Sequence, residues 1–158
     1  EVPALELEGE GVSSSLVREA LEHGDVARAA RFLGRPYRIT GKVIEGQKLG
    51  RKLGFPTANL RLHRRATPVG GIFAVRVTGC GLANASGVAS LGTRPAVNGK
   101  ELLLEAHVFD YSGDLYRRYV HVDFIERLRD ELWFPTMDAL VEQMHKDAAQ
   151  AREILASR

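Results

Sequence analysis

Leu102-Leu103-Leu104-Glu105-Ala106-His107-Val108-Phe109-Asp110 has the two-residue alternation of a β-strand, with Leu104, Ala106 and Val108 on one side and Leu103, Glu105, His107 and Phe109 on the other. Comparable short runs recur to either side of it, at Tyr37–Glu45, Ala58–Leu62, Ile72–Thr78, Gly87–Leu91 and Leu115–Phe124, parted by glycine-rich turns. Runs of this length and spacing predict an antiparallel barrel or sandwich, and closure into a barrel would leave no open sheet edge.

Helical signals flank these runs. Ser13, Ser14 and Ser15 can cap a short helix with apolar positions Leu16, Val17, Ala20 and Leu21, and Gly24 suits its left-handed exit. Asp25 caps a second short helix through Leu33, which Gly34 and Pro36 end. Thr136 caps a long C-terminal helix whose Met137, Leu140, Val141, Met144, Ala148, Ala151 and Leu155 recur at helical spacing, so one face should lie on the β domain. Residues 1–12 read as a tail or a short extended segment, and the start at Glu1 suggests a piece of something longer. The expected architecture is mostly β, with two short N-terminal helices and one long C-terminal helix.

Composition narrows the function. The 158 residues are 44% hydrophobic and 27% charged, enough for one sizeable core. The 22 basic residues barely exceed the 20 acidic ones and aromatics make up 7%, so there is no basic, aromatic-studded stripe for nucleic acid. One cysteine, Cys80, excludes an intrachain disulfide and a cysteine-based zinc site. No run is long enough to span a bilayer as a helix and no secretory signal opens the chain, so a cytoplasmic location without membrane partners is expected.

Three constellations can carry chemistry. In Gly41–Asn59, four glycines precede Phe55, and Lys48, Arg51 and Lys52 lie among them. Glycine backbones can approach phosphate oxygens and the cations can neutralise them. A Walker motif is excluded, because Gln47-Lys48 stands where Lys-Ser/Thr is required. Thr57 and Asn59, two apart in an extended segment, present oxygen to one point and are a reasonable partial set for Mg²⁺; turn hydrogen bonds explain the same residue types. Glu105, in so apolar a strand, is a candidate general base, its carboxyl expected to rise with partial burial; the bland reading is a solvated glutamate paired across the sheet. Between barrel and last helix, Arg127-Leu128-Arg129-Asp130-Glu131-Leu132-Trp133-Phe134 offers guanidinium and aromatic faces to a flat ligand, or else salt bridges and an anchor for the helix. Tyr116, alternating with Val120 and Val122, would be core by register.

These segments, in order, resemble bacterial riboflavin kinase, the C-terminal module of bifunctional riboflavin kinase/FAD synthetase. The resemblance rests on Gly50-Arg51-x-Leu53-Gly54-Phe55-Pro56-Thr57-Ala58-Asn59, Gly92-Thr93-Arg94-Pro95, Leu104-Glu105-Ala106-His107-Val108-Phe109-Asp110, Asp114-Leu115-Tyr116 and Leu128-Arg129-x-Glu131. It implies a six-stranded Greek-key barrel that uses ATP and Mg²⁺ to convert riboflavin to FMN, releasing ADP. Glu105 then matches the catalytic base, Thr57 and Asn59 the metal and phosphate ligands, and Gly46, Arg51 and Tyr116 nucleotide contacts, with Lys48, Gly50 and Gly54 in the same loop. Arg129 matches the flavin-binding arginine, and Phe134 lies where that segment closes over the flavin. The chain departs from the family pattern at Ser90, Ala96 and Arg117, where asparagine, threonine and glycine are usual.

Val12-Ser13-Ser14-Ser15-Leu16-Val17-Arg18 looks like the last motif of the family's adenylyltransferase module, whose His-x-x-His or His-x-Gly-His signature does not occur there. The expected layout is therefore 1–36 as linker and remnant of that module and 37–158 as the kinase barrel with its helix. The competing expectation is a flavin- or nucleotide-binding regulatory module without catalysis.

Overall fold

Two short strands, β1 (Leu5–Leu7) and β2 (Glu10–Val12), pair antiparallel ahead of α1 (Ser14–Glu22) and α2 (Val26–Leu33). The structure is a computed structural model and describes residues 5–7, 10–12, 14–44, 57–62, 70–79, 81–96, 99–111 and 118–158. Asp25 caps α2 as expected, its carboxylate accepting from the Arg28 amide, and Gly34 leaves the helix with φ +75°.

Six strands follow: β3 (Tyr37–Ile44), β4 (Ala58–Leu62), β5 (Gly71–Gly79), β6 (Leu82–Ala96), β7 (Gly99–Val108) and β8 (Tyr119–Arg129). They close into a barrel in the order β3-β4-β7-β6-β5-β8, every neighbour antiparallel. β5, β6 and β7 form consecutive hairpins and β8 returns beside β5, which is the Greek key. Alternation explains the interior: Ile39, Leu60, Phe73, Leu91, Leu104, Val122 and Phe124 are all buried on the inner side. Phe73 and Phe124 meet edge to face with centroids 5.0 Å apart. Val17, Ala20, Leu21, Val26, Ala29 and Phe32 of α1 and α2 belong to this same buried cluster, so the N-terminal helices share the barrel's core.

The last helix, α3 (Met137–Ala156), lies on the outer wall over β5, β6 and β8. Thr136 accepts from the Ala139 amide, capping it as expected, and Ala151 and Leu155 bury a second, outer cluster against Ala74 and Phe109. The expected stripe needs two corrections. Met137 is exposed, and the charged Asp147 is buried within the stripe.

Strand boundaries also differ. β6 continues to Ala96, well beyond Leu91, because β7 pairs with it as far as Gly99. β8 reaches Arg129, so Arg127 and Arg129 belong to a strand and not to the connection before α3. The cause lies in its pairing with β5, which jumps between Ile72 and Phe73 and again between Ala74 and Val75, leaving Leu128 and Ile125 as extra residues. Such bulges bend a strand and turn side chains to a new face.

Candidate functional site

Ladder register gathers the predicted residues. Asn59 of β4 faces Glu105 of β7, Glu105 faces Ser90 of β6, Ser90 faces Ile72 of β5, and Ile72 faces Arg129 of β8. Because Leu60 and Leu104 beside them point inward, Asn59 and Glu105 point outward. The row Asn59–Glu105–Ser90–Ile72–Arg129 therefore crosses the outer wall over five strands. Glu105 and Asn59 stand one strand spacing apart, and Glu105 and Arg129 three, about 14 Å along the wall.

The bulge at Leu128 decides which arginine joins this row. Arg127 and Arg129, two apart, would share a face in a regular strand, but Arg127 is level with the inward Phe73 and Arg129 with Ile72. Arg127 runs beneath the α1–α2 turn at Gly24, donates from Nε to the Gly70 carbonyl at 3.3 Å and pairs with Asp130. Arg129 instead reaches α3: its Nε and Nη2 fork onto Asp147 at 2.9 and 2.7 Å, and Nη1 donates to the Asp130 carbonyl at 2.9 Å. The guanidinium carbon lies 5.8 Å from the Phe134 ring centroid, so these two predicted residues do come together.

Segment 130–134 crosses the same wall, for the Ser90 hydroxyl donates to Glu131 at 3.2 Å. Trp133 is 84% exposed, which corrects the anchoring alternative for this residue: it holds no helix. Asn59 is buried, while Thr57 and Glu105 are half-buried; continuing the β4–β7 register sets Thr57 level with His107. Gly46, Lys48, Gly50, Arg51, Gly54 and Tyr116 lie outside the described residues. Among the described residues no three histidine, cysteine or acidic side chains are grouped to hold a metal. None of the described helices is long and apolar enough to cross a membrane.

Sequence reasoning missed Asp147. Its signal was present: position 147 follows Leu140 and Met144 on the apolar stripe of α3, and a charge there is out of place unless it has a partner.

A closed six-stranded Greek-key barrel with a carboxylate, an amide and an arginine in one outer row, and a helix packed over one end of that row, defines the class of fold. The chain belongs to the riboflavin kinase family, whose model matches residues 33–155. It is 45% identical over 151 residues to the bifunctional riboflavin kinase/FMN adenylyltransferase of Haemophilus influenzae, covering 96% of this chain and 49% of that protein. The protein of the same name from Pseudomonas fluorescens is 46% identical over 153 residues, with 96% and 49% covered. The chain thus spans about half the length of the curated relatives it matches. A Streptococcus pneumoniae crystal structure described as a macrolide-efflux protein superposes with TM-score 0.84 at 35% identity, over 96% of this chain and 50% of that one. The riboflavin kinase of Trypanosoma brucei, at 23% identity and TM-score 0.55, covers 77% of this chain and 80% of its own and shares the fold.

Proposed function

We propose that this chain transfers the γ-phosphoryl group of ATP to the 5′-hydroxyl of riboflavin, yielding FMN and ADP. The observation that carries the proposal is the outer row itself. It sets a carboxylate beside a side-chain amide and, about 14 Å away, an arginine over an aromatic ring. A tricyclic ring followed by a five-carbon chain needs that reach, with its flat end near Arg129 and Phe134 and its hydroxyl end near Glu105.

Glu105 accepts the 5′-hydroxyl proton as the oxygen approaches phosphorus in line; the new P–O bond forms, the β–γ bridging bond breaks and ADP leaves. Thr57 and Asn59, both hard oxygen donors on one edge of the row, fit Mg²⁺ and are assigned to hold it. When bound, Mg²⁺ supplies charge neutralisation at the phosphoryl oxygens. Gly46, Lys48, Gly50, Arg51, Gly54 and Tyr116 are assigned to the nucleotide on sequence grounds.

Residues 1–36 are assigned to the connection with a preceding adenylyltransferase module, and 37–158 to the kinase barrel and its helix; FMN adenylylation is not assigned to these residues. With one cysteine and no described membrane-crossing helix, a cytoplasmic site of action fits.

The test is incubation of the chain with riboflavin, ATP and Mg²⁺, followed by chromatographic separation of riboflavin, FMN and FAD. FMN is expected without FAD, and Glu105→Ala should lower turnover by roughly 10²- to 10⁴-fold. Flavin or ATP binding without FMN would favour a binding module, and undiminished turnover in Glu105→Ala would remove Glu105 from its role.

A further inference from the structure

Asp147 is a carboxylate set where α3 should carry a hydrocarbon. It is buried, lies on the stripe that Ala151 and Leu155 continue, and belongs with Asn59 and Asp123 to the small set of buried polar side chains among the described residues. Three N–H bonds converge on it: Nε and Nη2 of Arg129 at 2.9 and 2.7 Å, and Nε2 of Gln143, one turn earlier on α3, at 2.9 Å.

Stability does not call for this arrangement. A buried ion pair gives no more than well-packed apolar residues of the same volume, and often less. Attachment of the helix does not rest on it alone. Its C-terminal half is already held by Ala151 and Leu155, by Arg76 donating to the Leu155 carbonyl at 2.9 Å, and by Arg152 on Asp110.

What the fork does provide is orientation. The Nε–Nη2 edge of Arg129 is fixed on Asp147 and Nη1 is tied to the Asp130 carbonyl, so described residues take three of the guanidinium's five N–H donors. The other two donors are not taken by described residues, and the direction of the guanidinium is set from behind by α3. Gln143 in turn holds the carboxylate that holds the arginine.

We infer that Asp147 is a positioning residue for flavin binding: from α3 it turns Arg129 so that its remaining N–H edge meets the ligand's ring, with Gln143 steadying Asp147. This rests on the reading that Arg129 touches riboflavin. The ligand recognised by that edge is a planar ring bearing carbonyl acceptors.

Riboflavin fluorescence titration of the chain and its variants separates the two claims, with MgATP titration as control. Asp147→Asn keeps the shape but turns an acceptor oxygen into an amide facing Nη2. It is expected to weaken riboflavin binding by roughly 10- to 100-fold, as misorienting a binding group does, while MgATP affinity stays within about twofold. Arg129→Ala should weaken riboflavin at least as much, and adding Asp147→Asn to it should change nothing further, since Asp147 acts only through Arg129.

If Arg129→Ala weakens riboflavin and Asp147→Asn does not, the positioning role is overturned while the Arg129 reading stands. Equal losses for riboflavin and MgATP, or additive effects in the double variant, would make Asp147 a general brace and also overturn it. Unchanged riboflavin affinity in Arg129→Ala would remove the Arg129 reading and this inference with it. Should Asp147→Asn fail to fold, Gln143→Ala removes one bond to the same carboxylate and is expected to weaken riboflavin about fivefold, one hydrogen bond's worth. No weakening in a folded Gln143→Ala variant would count equally against the role.

Discussion

Asn59 and Glu105 stand one ladder step apart, yet only one of them can take up a proton. The amide of Asn59, which is buried, is suited to holding a cation or a phosphate oxygen. Their assigned roles therefore separate kinetically. Asn59→Ala is expected to weaken MgATP binding, read by titration at several Mg²⁺ concentrations, while riboflavin affinity stays put. An unaltered MgATP affinity would remove Asn59 from the metal site. Ser90 completes the residue-scale picture: in the row next to Glu105, it spends its hydroxyl on Glu131 and ties segment 130–134 to the wall. An asparagine at this position would offer a longer reach and an amide in place of the hydroxyl.

At the scale of elements, α3 meets the barrel through charged clamps as well as apolar contacts. Arg152 lies over the Phe109 ring at 4.3 Å and bonds both oxygens of Asp110, the nearer at 3.1 Å. That hydrogen bond, then the Arg152 charge and, more weakly, His107, hold the Asp110 carboxyl below the usual aspartate range. A lowered carboxylate stabilises the fold where it is ionised. Its contribution is complete above the unfolded aspartate value and is lost as pH falls through the lower folded one. Wild type should therefore be more stable than Arg152→Ala near neutral pH, and that margin should shrink below about pH 4. Urea unfolding of both across that range checks it; a margin indifferent to pH would assign the whole effect to the arginine–phenylalanine contact. Much of this layer could be read beforehand. The alternation in Leu102–Val108 exposes Glu105's face because the other face is buried, and Thr136 announces the start of α3. Register between distant strands could not be read, for nothing near Ser90 says that it stands level with Glu105. The bulges at Ile125 and Leu128 are likewise silent in sequence, both residues being ordinary strand formers, yet they send Arg127 and Arg129 to opposite faces. Asp147 was visible as a misplaced charge, but its partner was not.

For the molecule as a whole, the question is what binds the N-terminal helices to the barrel wall that carries the row. Apolar burial of Val26, Ala29 and Phe32 supplies area without direction. Direction comes from Arg127, whose side chain lies under the α1–α2 turn while its ends reach Gly70 and Asp130, the residue next to Arg129. Gly24 makes that approach possible. It has φ +73°, and a Cβ there would sit 2.3 Å from Cδ of Arg127. Gly24→Ala thus carries two separable costs. One is the left-handed backbone, about 1–2 kcal/mol for an L-residue. The other is expulsion of Arg127 from its seat, bringing the expected total to about 2–4 kcal/mol by urea unfolding. In an Arg127→Ala background the second cost has no object, so Gly24→Ala should there lose only the backbone part. If the helices and the wall are joined through this seat, the single Gly24→Ala variant should also weaken riboflavin binding, because Arg127 holds Asp130 beside Arg129. Equal destabilisation in both backgrounds, with riboflavin affinity intact, would mean that α1 and α2 rest on the barrel by apolar contact alone and that the arginine is not the link between them.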